Sequence, residues 1–344
     1  MPYSFDRAKI VPLSAGEYLR HTGAAGRPLH LRHLGLTFHT LADCLYFGDN
    51  SQVVLPNQGQ ELRYVFRESC HYFANEHALS ATLERALAAN SDPVTIDEAA
   101  PLYAPGSKNL WHWLTEGLPQ LLALESVGFS GKYIVADCPV VRQSLEFLQI
   151  APERLLVGRA AYRVRQLMLP QRLSGFDLVE YMPLVSLLRE RLLETVGALA
   201  GTKRVYVRRI GRRKPVNEEQ VLDLLREYDF EIMVPEERSL MEQLRYMTNA
   251  ECSVMAHGAN SSLAIMQPPR SGMVEFYGNR YVSYNNLHAV RLLRLRYHPL
   301  VEDLDVSSAP SDNMTLSEFL WSGFETDMFV DVRHLRVVLE SLLE

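Results

Sequence analysis

His112 and Glu116 stand four residues apart within Asn109-Leu-Trp-His-Trp-Leu-Thr-Glu116, and Trp111 and Trp113 flank the histidine. That spacing puts both side chains on one face of a helix. A histidine and a carboxylate held together can take a proton from a hydroxyl, with Glu116 as base and His112 orienting it, or the reverse. Indole rings stack on the faces of sugars. Asn109, Trp111 and Trp113 are therefore candidate contacts to a saccharide acceptor. A core histidine paired with a glutamate on an amphipathic helix would show the same spacing.

Three further features lie in the second half. Arg208-Arg-Ile-Gly-Arg-Arg-Lys-Pro215 follows the apolar run Arg204-Val-Tyr-Val207 and holds five cations in seven residues. Guanidinium forks match phosphate oxygens, and cations offset the charge that grows on a departing diphosphate. Arg208, Arg209 and Lys214 are the candidates; a solvated basic turn is the plainer alternative. His257-Gly258-Ala259-Asn260 follows a second apolar run. Its small residues let a phosphate approach the backbone, and the helix after it offers free N–H groups. A capped turn would look the same. Glu275 interrupts the apolar run Met273-Val-Glu-Phe276, where a carboxylate needs a partner. Ribose hydroxyls are the expected partners, with a solvent-facing strand position as the alternative.

The elements that must position these residues are legible from apolar periodicity. Lys108 to Ser126 has helical spacing, with Pro119 marking a kink or restart. Lys132 to Ala136 reads as a strand, Pro139 to Leu148 as a helix, and Arg154 to Val157 and Arg165 to Leu169 as strands, an alternation that predicts a parallel sheet with helical crossovers. A long helix is expected over Met182 to Leu199. Strands are then predicted at 204–207, 230–234, 252–256 and 273–276, with helices between them capped by Asn217 and by Ser239, the latter in a capping box with Glu242. Such β-α-β units build a doubly wound sheet, whose ligands bind beyond the carboxyl ends of the strands. A final amphipathic helix, capped by Asp331, presents Val332, Leu335, Val338, Leu339 and Leu342 on one face. The first hundred residues are harder to read: Gln52 to Pro56 and Leu62 to Phe66 suggest strands, and Ala81 to Ala89 a short helix. The expected division is 1–185, 186–328 and a closing helix at 329–344.

The chain of 344 residues is 47% hydrophobic and 22% charged with a net charge of −6, an ordinary globular composition. The basic residues form one loop rather than a face, which argues against nucleic-acid binding. Cys44, Cys70, Cys138 and Cys252 are too scattered for a zinc site or a disulfide framework, and read as reduced thiols. No signal-like N-terminus and no uninterrupted membrane-spanning run is present. A cytoplasmic protein, with peripheral contact at the inner membrane face, is expected. P-loop, HExxH, GxSxG and GxGxxG patterns are absent. Asp303-Leu-Asp305 spells DxD but reads as an acidic solvated turn, so no metal and no cofactor are expected.

Taken in order, these segments resemble glycosyltransferase family 61. The resemblance covers about Asn109 to Phe276. It rests on N-x-x-H-x-x-x-E-x-x-P (Asn109, His112, Glu116, Pro119), on a strand followed by Arg208, Arg209 and Asn217-Glu218, on Pro235-Glu-Glu-Arg-Ser-Leu-Met-Glu-Gln243, on His257-Gly258-Ala259 and on Val274-Glu275. Arg208 stands where a small polar residue is expected, which leaves open whether Arg208 or Arg209 meets the phosphate. The resemblance implies a GT-B-like α/β fold of two Rossmann-like domains facing across a cleft. It also implies inverting, metal-independent transfer from a nucleotide sugar, mainly UDP-linked, to a saccharide or lipid-linked glycan, as in polysaccharide and capsule biosynthesis. The donor nucleotide would lie on the C-terminal half. A non-catalytic nucleotide-sugar or saccharide-binding protein on the same scaffold is the alternative.

Overall fold

The computed structural model describes residues 9–12, 29–31, 36–47, 52–56, 61–65, 93–102, 108–157, 161–170, 182–197, 201–279, 281–283, 285–303 and 326–344. The expected helix at 81–89, Cys70, and Leu304 and Asp305 of the DxD fall outside them. Backbone proximity divides the chain into two units, Met1–Leu184 and Val185–Glu344. Among the described residues no helix is long and apolar enough to cross a membrane.

The first unit carries a nine-stranded mixed sheet. Its strands are β1 (Lys9–Pro12), β2 (Leu29–Leu31), β3 (Leu36–Phe47), β4 (Gln52–Pro56), β5 (Glu61–Val65), β6 (Val94–Pro101), β7 (Lys132–Val135), β8 (Leu155–Val157) and β9 (Ala161–Pro170). The order is β1-β5-β4-β3-β9-β6-β7-β8, with β2 beside β3. The expected parallel set is present as β9-β6-β7-β8. The sequence reading missed its continuation: β9 runs antiparallel to the long β3, so the sheet is mixed rather than doubly wound throughout. Leu41, Cys44, Tyr46, Ile96, Ile134, Val164 and Leu167 form the core along these central strands.

The chain leaves β6 at its carboxyl end and enters the helical run that carries His112 and Glu116. This run is α1 (Leu110–His112), a π-helical turn (Trp113–Gly117) and α2 (Leu118–Ser126). The irregularity expected at Pro119 thus lies before it. Proline has no N–H for the preceding turn and its ring crowds that turn's carbonyl. Here the backbone widens over the five residues ahead of it, and Thr115 Oγ1 donates to the carbonyl of Trp111 at 2.7 Å. Gly117 makes the turn possible. A Cβ there would overlap Cε3 of the fully buried Trp113 and lie 3.2 Å from the carbonyl of Leu102. Gly117→Ala is expected to cost about 1–3 kcal/mol of stability, the usual cost of overpacking. Denaturant unfolding measures it, and an unchanged midpoint would refute the packing argument. The unit continues through α3 (Pro139–Phe147).

The second unit follows from α4 (Met182–Val196) and is built on a five-stranded, all-parallel sheet. Its strands are β10 (Lys203–Val207), β11 (Phe230–Met233), β12 (Ala250–Ala256), β13 (Gly272–Tyr277) and β14 (Arg296–Val301), in the order β11-β10-β12-β13-β14. The helices α5 (Glu218–Glu227), α6 (Leu240–Thr248) and α7 (Leu287–Leu293) connect them, with a 3₁₀ segment at Ala259–Met266 and a closing α8 (Val332–Leu343). Ser239 and Glu242 form the expected capping box, and Asp331 caps α8 by accepting from Arg333 and His334 N–H. Leu335, Val338, Leu339 and Leu342 of α8 enter the same core as Val221 and Leu225 of α5 and Val254 of β12.

Asn217 departs from expectation. It stands at the N-cap of α5 without a side-chain cap bond. Its amide instead brackets Val330: Oδ1 accepts from the Val330 N–H at 3.0 Å and Nδ2 donates to its carbonyl at 2.8 Å. Beside it, Val216 N–H donates to the Met328 carbonyl and Met328 N–H to that of Lys214, while Lys214 N–H reaches Asp327 Oδ1 at 3.2 Å. Segment 326–330 is thereby stitched onto the end of the basic loop.

Candidate functional site

In the second sheet the strand order reverses at β10, whose neighbours are β11 and β12. Ligands of open parallel sheets bind in the crevice outside such a reversal, beyond the carboxyl ends. Two loops leave those ends: Arg208 onward from β10, and His257 onward from β12.

The two adjacent arginines are in different states. Arg208 is committed to Glu218, with Nε 3.2 Å from each carboxylate oxygen and Nη2 2.7 Å from Oε2. Arg209 has no carboxylate within ion-pair distance among the described residues. Its Nε donates to the Arg212 carbonyl at 2.5 Å. Its guanidinium packs so closely on Gly258 that a Cβ there would overlap Nη1 and lie 2.7 Å from Cζ. Burial, reinforced by the charges of Arg213 and Arg212, pushes the Arg209 pKa down to about 10. A cation held at a disadvantage in this way gains from an arriving anion. Gly211, at φ 89°, turns the loop, and Arg213 takes the left-handed conformation at φ 60°. Arg213 then sits over the Tyr281 ring, 5.6 Å from its centroid. Lys214 is exposed.

The loop after β12 is held from below. His257 is 4% exposed; it stacks on Tyr277 at 4.7 Å and tilts against Tyr281 at 5.5 Å. Ser261 Oγ donates to the Gly258 carbonyl at 2.6 Å and Ser262 Oγ to that of Ala259 at 2.7 Å. Both hydroxyl protons are therefore spent on their own turn. Asn260 is half-buried, and its side chain has no partner among the described residues.

Glu275 corrects the sequence reading most. It is 0% exposed, and four donors surround its carboxylate. Oε1 meets His257 Nδ1 and Asn286 Nδ2, each at 2.7 Å. Oε2 meets the hydroxyls of Tyr277 at 2.8 Å and Tyr297 at 3.0 Å. A carboxylate has about four acceptor positions, so none is left for ribose. Burial alone would raise its pKa. The bonds and charge of His257 and the bonds of Tyr277 and Tyr297 outweigh burial and hold it below the usual carboxylate value. Tyr277, Asn286 and Tyr297 were missed from sequence, although Tyr277, two residues beyond Glu275 on one strand face, carries a readable signal.

In the first unit the expected pair is present: His112 Nδ1 lies 3.1 Å from Glu116 Oε2, and the side chains keep 19% and 12% of their surface exposed. The π-turn begins directly after His112 and contains Glu116. Such turns recur at functional sites. The strand order of this unit also reverses at β6, from whose carboxyl end the run departs. The flanking residues mostly build the site instead of lining it. Asn109 Oδ1 caps the run through the Trp111 N–H at 2.9 Å. Trp113 is 0% exposed and donates Nε1–H to Ser144 Oγ at 2.7 Å, so its expected contact with an acceptor is ruled out by burial. Trp111 is also buried, and its ring meets His112 edge-on at 5.0 Å.

No curated protein shows a significant match to the chain. Residues 110–274 match the family model described as Glycosyltransferase 61, a span that holds His112, Glu116, Arg208, Arg209, His257 and Gly258 and stops one residue before Glu275. A catalytic family of this kind displaces the alternative of a non-catalytic binding protein: over the matched stretch the chain carries a glycosyltransferase 61 domain, which makes it a glycosyltransferase.

Proposed function

We propose that the chain is an inverting, metal-independent transferase of GT-B type that moves a sugar from a UDP-sugar to a saccharide or lipid-linked glycan in polysaccharide biosynthesis. The observation that carries the donor site is the Arg209 guanidinium, without a carboxylate partner among the described residues and packed on Gly258 at the strand-order reversal. A diphosphate there meets Arg209, Lys214 and the backbone of Gly258, Ala259 and Asn260. Arg208 supports the loop through Glu218. Tyr281, between Arg213 and His257, offers a ring beside the phosphates.

The acceptor hydroxyl attacks the anomeric carbon as the C–O bond to the diphosphate breaks, and its proton passes to the His112/Glu116 pair. Glu116 is the base in this scheme and His112 orients it, since the carboxylate can accept the proton while keeping the 3.1 Å contact. The electron pair of the breaking bond goes to the diphosphate, where the cations of the loop stabilise it.

A thermal-shift panel of nucleoside diphosphates in EDTA tests the donor reading. A ligand of the folded state at a hundred times its Kd adds about 2.7 kcal/mol of stability. UDP is expected to raise Tm by several degrees without a divalent ion. A panel in which no nucleoside diphosphate moves Tm would sink the donor site. A shift seen only with manganese would sink metal independence.

A further inference from the structure

We infer that Glu275 is a positioning residue for the donor diphosphate and acts through His257, whose second ring nitrogen meets the phosphate. This rests on the reading of the 208–214 and 257–260 loops as the donor site.

The carboxylate is sealed from solvent and all its acceptor positions are taken, so it touches no ligand itself. An ionised carboxylate only accepts, so the bond to His257 Nδ1 fixes the proton on that nitrogen. Nε2 is left as the ring's free end. It has no hydrogen-bond partner among the described residues, in a side chain only 5% exposed. That nitrogen is not among the fully enclosed polar atoms that lack a partner, so it stays within reach of a ligand, and the residue that carries it adjoins Gly258, on which Arg209 rests. A phosphate bound at Arg209 supplies the missing partner. The hydrogen bond between Nε2 and a phosphate oxygen then continues the line that starts at Glu275.

The surroundings hold the ring rather than compete for it. Tyr277 stacks on one face. Asn286 ties Glu275 to the turn itself, donating to Oε1 at 2.7 Å and to Ser261 Oγ at 2.6 Å. Ser261 in turn holds the Gly258 carbonyl. One buried carboxylate thus sets both the orientation of the histidine and the shape of the turn that follows it.

UDP affinity, measured by calorimetry on Arg209→Ala, His257→Gln, Glu275→Gln and the His257→Gln/Glu275→Gln double variant, tests the inference. Glu275→Gln is expected to weaken UDP about tenfold or more, the scale seen when a carboxylate behind a metal-ligating histidine is removed. In the double variant the loss should not exceed that of His257→Gln alone, because Glu275 acts through the ring. Additive losses would mean an independent structural role and overturn the inference. So would normal affinity in Glu275→Gln. Normal affinity in Arg209→Ala would instead overturn the donor-site reading beneath it. Should Glu275→Gln fail to fold, ¹⁵N spectra of the unaltered protein decide: Nδ1 of His257 should be protonated throughout and the Nε2 resonance should move on adding UDP. An Nε2 resonance that UDP leaves in place refutes the proposal.

Discussion

Gly258→Ala is expected to lower UDP affinity by about 10–100-fold while leaving the folded state almost as stable. The added Cβ would occupy the place of Arg209 Nη1. Something has to move, and the obstacle is the far end of a long side chain whose only described bond goes to the Arg212 carbonyl. The guanidinium swings away at little cost to the fold. Gly258 sits at φ 164°, an extended conformation open to alanine, so the backbone adds no strain. What is lost is the alignment of the fork with a phosphate, and hydrogen bonds between charged groups contribute about 1.5–3 kcal/mol each, which corresponds to the stated range. Calorimetry with UDP, paired with Tm of the unliganded variant, separates the two effects. Unaltered UDP affinity would remove Arg209 from the donor site; a large drop in Tm would show that Gly258 serves the fold.

Glu116→Gln is expected to reduce kcat by about 10²–10⁴-fold, the contribution of a positioned general base, with donor binding intact. Glutamine keeps an oxygen to meet His112 Nδ1, and the remaining surface of Glu116 is small, so its shape and packing are conserved. The proton acceptor alone is removed. Turnover measured at saturating donor, with UDP affinity measured alongside, isolates the effect. Near-normal kcat would transfer the role of base to His112. A parallel loss of UDP affinity would mean that the substitution disturbs more than a proton transfer.

The second unit was legible because short apolar strands alternate there with capped helices, and each cap is a local signal. Ser239 and Glu242 are three residues apart and meet as expected. Asn217 misled for the same reason. It stands where a cap belongs, yet its amide is used on Val330, 113 positions away, a contact no window along the chain contains. Glu275 was rightly singled out as a carboxylate in need of partners. The partners were protein groups contributed from His257, Tyr277, Asn286 and Tyr297. β14 escaped notice because Pro299 interrupts it; as an edge strand it tolerates the missing N–H. In the first unit the parallel strands were visible as apolar runs, but pairing of β9 with β3 joins segments more than a hundred residues apart, and local pattern carries no record of it. The His112/Glu116 pair was readable because helical spacing brings it together; the capping duty of Asn109 and the burial of Trp113 depend on what surrounds the run.

The stitching of 326–330 onto the basic loop has a consequence for how the protein is made. At the pace of bacterial or eukaryotic ribosomes, roughly 5–20 residues per second, the Arg208–Lys214 cations emerge on the order of ten seconds before Val330 arrives to bracket Asn217. During that interval a nascent chain displays five cations on a loop that lacks its final anchor, close to the polyanionic RNA of the ribosome. A chain halted before the anchor would keep Arg208 on Glu218 and Arg209 on the Arg212 carbonyl, and would lack the bonds that fix Lys214 and Asn217. The end of the loop is thus fixed only after translation has passed the last strand of the sheet.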